Sequence, residues 1–141
     1  MFDLPVLDSP IIPAPKRCEL RVSLLEEELE ELKEAIEDGD LTEVADAFCD
    51  LQYVLSGAIL EFGLGSQFSD LFAEVHRSNM SKACSSEEEA HQTADHYLKN
   101  KDTKSHIKPK GDKWLVYRDG DGKVLKSIKY SAAKIKEMLG L

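Results

Sequence analysis

An all-α, antiparallel helical bundle with a small C-terminal β-hairpin and a terminal helix is the architecture this sequence predicts. Three observations predict it. Apolar residues recur at three- and four-residue spacing through successive segments between Cys18 and Lys99. Breakers and capping signatures punctuate those segments. Beyond Lys113 the period shortens to strand alternation around an Asp-Gly turn. At 141 residues the chain fits one domain with a real core.

The elements follow in order. "LPVLDSPIIPAP" holds four of the five prolines and reads as an extended lead-in. A first helix is expected from about Cys18 to Glu37, broken by "EDGD", where Asp40 with Glu43 makes a capping box that opens a second helix over Leu41 to Phe62. "GLGS" ends it, and a third helix is expected from Gln67 to about Met80, with Phe68, Leu71, Phe72 and Val75 on one face. Ser86 and Glu89 cap a fourth helix in "SSEEEAHQTADHYLK". "KWLVYRDGDGKVLKSIKY" reads as two strands around a turn, followed by a short helix from Ser131 to Leu139. "DGDG" lacks a calcium loop's acidic twelfth residue, since counting from Asp119 reaches Tyr130. The expected division is a helical domain over 1–98 with the hairpin and short helix of 99–141 appended to it.

Charge is distributed unevenly. The chain carries 18 Lys and Arg against 27 Asp and Glu, a net −9, which argues against a surface that binds nucleic acid throughout. Residues 99–141 nevertheless hold 12 basic against 5 acidic residues, so an acidic body precedes a basic tail. Three widely spaced cysteines, Cys18, Cys49 and Cys84, form no C-x-x-C pair and suit a reducing cytosol. No apolar run is long enough for a membrane span, and "MFDLPVLDSP" lacks the blocks of a secretory signal, so a cytoplasmic location without membrane attachment is expected.

The acidic residues of "LLEEELEELKEAI" sort by helical angle. At 100° per residue, Val22, Leu25, Leu29, Leu32 and Ile36 form one stripe, and Glu26, Glu27, Glu30, Glu34 and Glu37 lie opposite it, as on an ordinary solvated face. Glu28 and Glu31 instead share a strip along one margin of the apolar stripe, one turn apart. In the second helix Asp50 is the one charge between Ala47 and Leu60, where burial of an unpaired carboxylate is costly. Asp46 and Glu43 precede it on the same strip, although Glu43 serves equally as a cap. Tyr53 and Gly57 continue that strip. Antiparallel packing brings the two acidic strips face to face, and an all-oxygen set suits Mg²⁺ or Mn²⁺.

These residues carry a resemblance. "EELEEL", then "EVADAFCDLQYVLSGAILEFGL" and "EVHRSNMSK", are similar to the MazG-like all-α nucleoside triphosphate pyrophosphohydrolases, which include phosphoribosyl-ATP pyrophosphohydrolase. The similarity runs from about Leu4 to Lys82 and extends weakly into "GDGKVLKSIKY". It implies the pattern E-E-x-x-E followed by E-x-x-D, matched by Glu27, Glu28 and Glu31 and by Asp50. The glutamate implied three residues before Asp50 is Ala47 here, and Asp46 is its substitute one position away; Glu43 with Asp46 is the other alignment.

The resemblance implies cleavage of a (deoxy)nucleoside triphosphate between the α and β phosphates, in a nucleotide-pool housecleaning role. It implies Mg²⁺ (or Mn²⁺) on Glu28, Glu31, Asp46 and Asp50, with Glu27, Glu28 and Glu31 the catalytic group and Glu27 orienting the attacking water. The substrate contacts expected are Tyr53, Arg77, Asn79 and Lys82, together with Lys123 and Lys126, which alternate onto one strand face. The same residues leave open a phosphoribosyl-ATP substrate, or a catalytically silent helical interaction module. The second helix is apolar around much of its circumference, so a homodimer or homotetramer is expected to complete its packing.

Overall fold

The computed structural model describes residues 3–141, which form two compact units divided after Ser69. The first is a helical hairpin. Helix α1 (Pro15–Asp38) starts with proline in its first turn, where a missing N–H costs nothing. It ends at Gly39, whose φ of +69° lets its N–H reach back to Ile36 O and turns the chain at once. Asp40 then caps α2 (Leu41–Glu61), its carboxylate accepting from Thr42 N at 2.9 Å and Glu43 N at 3.3 Å. The expected box is thus half formed, because Asp40 N donates to Ala35 O and needs nothing from Glu43.

Small residues let the two helices approach closely: Ala35, Ala47 and Ala58 are buried together with Leu32. The expected apolar stripe of α1 is covered only in part. Leu32 is buried and Leu25 half-buried, whereas Val22, Leu29 and Ile36 are 46–59% exposed. A helix with one neighbour covers only the side facing that neighbour, so the far flank of a wide stripe stays open.

Two further devices complete this unit. The lead-in runs along the end of α2, with Leu7 N donating to Leu60 O and Ile11 N to Phe62 O. It passes so close to Gly63 that a Cβ there would lie 1.9 Å from Ser9 O. Glu61, 1% exposed, accepts from Arg17 Nε at 2.5 Å and Nη2 at 3.0 Å, and from Arg21 Nε at 2.5 Å. These bonds clamp the open end of the hairpin.

The second unit comprises most of α3 (Phe68–Met80), then α4 (Glu87–Lys101), β1 (Ser105–Lys110), β2 (Lys113–Arg118) and the single turn α5 (Ile135–Met138). On α3 Leu71 is buried and Phe68 half-buried, whereas Phe72 and Val75 are exposed. Ser86 caps α4 as expected, accepting from Glu89 N at 3.2 Å.

The hairpin lies one strand earlier than expected. "KWLVYR" pairs antiparallel with the upstream "SHIKPK", from Ser105 opposite Arg118 to Lys110 opposite Lys113. Pro109 is tolerated because β1 is an edge strand. Residues 123–128, expected as the second strand, make one bridge, Tyr117 to Val124, and then leave β2. Lys126 N donates to Tyr97 Oη at 3.3 Å, Ser127 Oγ to Glu89 Oε1 at 2.5 Å and Ile128 N to Thr93 Oγ1 at 3.2 Å, which draws the segment onto α4. The Asp119–Gly122 stretch is a turn: Asp121 accepts from Arg118 and from Lys123 N and is thereby committed.

Cys84, Ala90, Val116 and Leu125 form the core of this unit, with Ala94, Tyr97, Ile107 and Trp114 against them. Helix four and the hairpin therefore share one core, and the chain divides into compact units between 69 and 70. The terminal helix is shorter than the expected Ser131 to Leu139.

Two measurements check these constraints. Gly63→Ala should lower the stability of the chain by about 1–3 kcal/mol, since it adds both a clash and a strained φ of +68°; thermal denaturation reads this. Glu61→Ala should cost about 3–5 kcal/mol in urea titration, because it leaves the 6%-exposed Arg21 without its carboxylate. The hydrogen bonds from Arg17, and after them those from Arg21, outweigh burial and hold Glu61 below its ordinary value of 4.5. Its contribution is then fully present above pH 4.5 and lost as pH falls through the lowered value, so wild type and variant should converge in acid.

Candidate active site

The hairpin decides which acids meet. A two-residue connection makes α1 and α2 antiparallel neighbours. Eleven residues, or about three turns, beyond Arg17 lies Glu28; eleven residues before Glu61 lies Asp50. The Arg17–Glu61 bond at one end therefore sets Glu28 against Asp50 further along.

Glu28 is half-buried, and its carboxyl is pushed above the ordinary 4.5, first by desolvation and then by Glu31, Asp50, Glu27 and Asp46 in that order. Two helices thus direct negative charge at one side chain. Among the described residues no Lys, Arg or His pairs with Glu28, Glu31, Asp46 or Asp50. Glu27, Glu31, Asp46 and Asp50 are exposed. For Asp50 this corrects the expectation of burial. It stands at an open margin of a hairpin that has no third helix over it in this unit, so solvent reaches it.

Glu43 has a different setting. It lines a cleft of about 510 Å³ at the closed end of the hairpin with Glu31, Glu34, Ala35, Asp38 and Asp40. Glu31 borders both groups of acids, whereas Asp46 and not Glu43 contributes to the field on Glu28.

Oxygen donors of high negative charge and no basic competitor fit a hard divalent cation in chemistry. The cage is not preformed: among the described residues no three Asp, Glu, His or Cys side chains converge closely enough to hold a metal. Loading would require the exposed carboxylates to rotate inward, which their solvent-facing positions permit.

Tyr53 lies elsewhere on the same face. It is 68% exposed and lines an apolar cleft of about 420 Å³ with Leu4, Pro5, Leu24, Val54 and Gly57. The Arg21 guanidinium also borders this cleft; its buried Nη2 finds no hydrogen-bond partner among the described residues.

The remaining expected contacts lie in the second unit. Arg77 is engaged, donating twice to Glu74 (2.7 and 2.8 Å) and once to Ala132 O at 3.1 Å. The bonds from Arg77, and after them the one from Lys134 N, lower Glu74 to about 2. Asn79 Oδ1 accepts from Lys82 Nζ at 2.7 Å. Lys82, Lys123 and Lys126 border one cleft.

Sequence reasoning missed the Arg17–Arg21–Glu61 cluster. Its signal was present: two arginines four apart on one helix, and a lone glutamate ending an apolar one.

The phosphoribosyl-ATP pyrophosphohydrolase family matches residues 1–79. The chain belongs to this family. It is a MazG-like all-α family, in agreement with the resemblance carried by "EELEEL" and "DLQYV". The family match contains the whole α1–α2 hairpin and every acid of its two acidic groups, and it stops near the end of α3, before the basic tail. An uncharacterized protein of Acanthamoeba polyphaga mimivirus is 31% identical over 81 residues, 54% of this chain. The aligned stretch spans about a third, 32%, of that protein's length.

The electrostatics of the α1–α2 hairpin give one expectation. Glu28→Gln removes a carboxylate repelled by four others, so in EDTA at neutral pH its melting temperature should equal or exceed that of wild type. A clear drop would show that Glu28 serves the fold instead.

Proposed function

We propose that this chain is a magnesium-dependent nucleotide pyrophosphohydrolase that cleaves a (deoxy)nucleoside triphosphate into a nucleoside monophosphate and pyrophosphate. The observation that carries the reading is the crowding of Glu27, Glu31, Asp46 and Asp50 around a half-buried Glu28, with no basic side chain among the described residues paired to them. Charge of that kind is retained where a cation and a polyanionic substrate offset it.

In this reading Glu28, Glu31, Asp46 and Asp50 hold Mg²⁺ or Mn²⁺. The cation, when bound, neutralises the phosphates and makes water a better nucleophile. Water oxygen bonds to the α phosphorus, the bond from that phosphorus to the bridging oxygen breaks, and pyrophosphate leaves with the electron pair. Glu27 orients the water and accepts its proton. Tyr53 supplies a face for the nucleoside beside the apolar cleft. In the second unit Lys82, Lys123 and Lys126, with Asn79, are the side chains suited to phosphate, and Arg77 joins them on release from Glu74.

The uncovered flank of α1 and the exposed Phe48 and Leu55 of α2 support a homodimer or homotetramer. A second reading, phosphoribosyl-ATP as substrate, is favoured by the description of the matching family.

Pyrophosphate release from a panel of nucleoside triphosphates and phosphoribosyl-ATP, with and without Mg²⁺, tests the proposal and separates the two substrates. Glu28→Gln and Asp50→Asn should each lower kcat at least about 100-fold with the fold retained, the scale of losing one electrostatic group at a phosphoryl centre. Full turnover in both variants would overturn the assignment. Absence of any metal-dependent nucleotide binding in calorimetry would point to the silent interaction module.

A further inference from the structure

Five cationic side chains surround one cleft of about 320 Å³ in the second unit: Lys82 after α3, Lys101 at the end of α4, Arg118 at the end of β2, and Lys123 and Lys126 from the segment that follows. Tyr97, Val124 and Leu125 complete the lining, and among the described residues no acidic one borders it. We propose that this cleft binds a condensed phosphate, the di- or triphosphate group of a small molecule, through its lysine and arginine side chains and without a bridging metal.

The cleft is built on anchored chain. Leu125, at its floor, belongs to the unit's core and donates to Val116 O at 2.8 Å. Lys126 N is fixed to Tyr97 Oη, and the next two residues are fixed to Glu89 and Thr93. Glu89 itself is 4% exposed. Aromatic rings restrain two of the cations, with Lys101 Nζ 5.1 Å from the Tyr97 centroid and Lys126 Nζ 4.3 Å from that of Tyr130. Neither contact neutralises charge. Of the five, Arg118 alone is paired with an acid among the described residues, Asp121, and the Asn79 contact leaves Lys82 its full charge. The Tyr130 hydroxyl is lowered from its ordinary value, chiefly by its bond with Ser78 and then by Lys126 and Lys82, which reports the same positive field.

Four net positive charges converging on a small cleft, in a chain of net −9, match a compact polyanion better than a neutral or singly charged ligand. The volume accommodates two or three linked phosphates and not a folded macromolecule. The site shares Lys82, Lys123 and Lys126 with the phosphate contacts proposed above and rests on that reading in no other respect. It lies beyond the residues matched by the family.

Calorimetry on the full chain in EDTA at low ionic strength tests this, with inorganic pyrophosphate, a nucleoside triphosphate, its monophosphate and orthophosphate as probes. Pyrophosphate is expected to bind and orthophosphate to bind more weakly, with affinity falling as salt is added. Triphosphate binding equal to that of pyrophosphate identifies the nucleotide tail as ligand, and binding of pyrophosphate alone identifies the free anion. Lys123→Gln/Lys126→Gln should weaken pyrophosphate at least about tenfold, as expected for losing two charge-assisted contacts. Lys82→Gln/Lys101→Gln, on different elements, should do the same, so misfolding of one pair leaves the other decisive. Glu28→Gln/Asp50→Asn should leave metal-free binding unchanged, which separates failure here from failure of the hydrolytic reading. No metal-free binding by folded wild type, affinity undiminished in both lysine variants, or an oligonucleotide that binds more tightly and is not displaced by pyrophosphate would each overturn the proposal.

Discussion

The buried carboxylate of Glu61 is the interaction on which the helical hairpin depends. Two guanidiniums one turn apart on α1 grip it at the end of α2. A hydrophobic interface made largely of alanines would tolerate a shift of register, because small apolar side chains resemble one another at neighbouring positions. A charged group sealed from water does not tolerate such a shift, since a displaced Glu61 would lose both partners and keep its desolvation cost. Specificity is therefore concentrated at one end of the hairpin, and the acids three turns away inherit it.

Those acids stand in the opposite condition. Glu61 is satisfied by more cation than it needs, and Glu28 is surrounded by charge of its own sign. One hairpin thus contains a carboxylate made more acidic and a carboxylate made less acidic, and the two environments differ in burial and in which residue types face them. Such divergence is usual where one group stabilises the fold and the other serves a ligand.

Much of this was legible from the sequence. Helical periodicity and the Gly39–Asp40 break define α1 and α2, because a short connection allows few arrangements of two amphipathic helices. The angular sorting of Glu28 and Glu31 away from the other glutamates depends only on helix geometry. Asp50 was harder: an isolated charge in an apolar run implies burial only if something covers it, and coverage is a property of tertiary neighbours. The hairpin was misplaced by one strand for a similar reason. "SHIKPK" contains a proline and little apolar alternation, so it reads poorly as a strand, whereas "KVLKSI" alternates well and is diverted by side-chain bonds to α4. Local pattern cannot register a competing partner thirty or more residues away.

The two-residue connection at Gly39 and Asp40 also bears on how the chain folds. Closing so short a turn costs little entropy, and each contact of the α1–α2 hairpin that follows zips outward from it. The second unit has no such start: Cys84 must find Trp114 thirty positions away, and the 123–128 segment must then settle on α4. The closures that span the longest stretches of chain therefore fall in the basic second unit, and those of the acidic hairpin are the shortest.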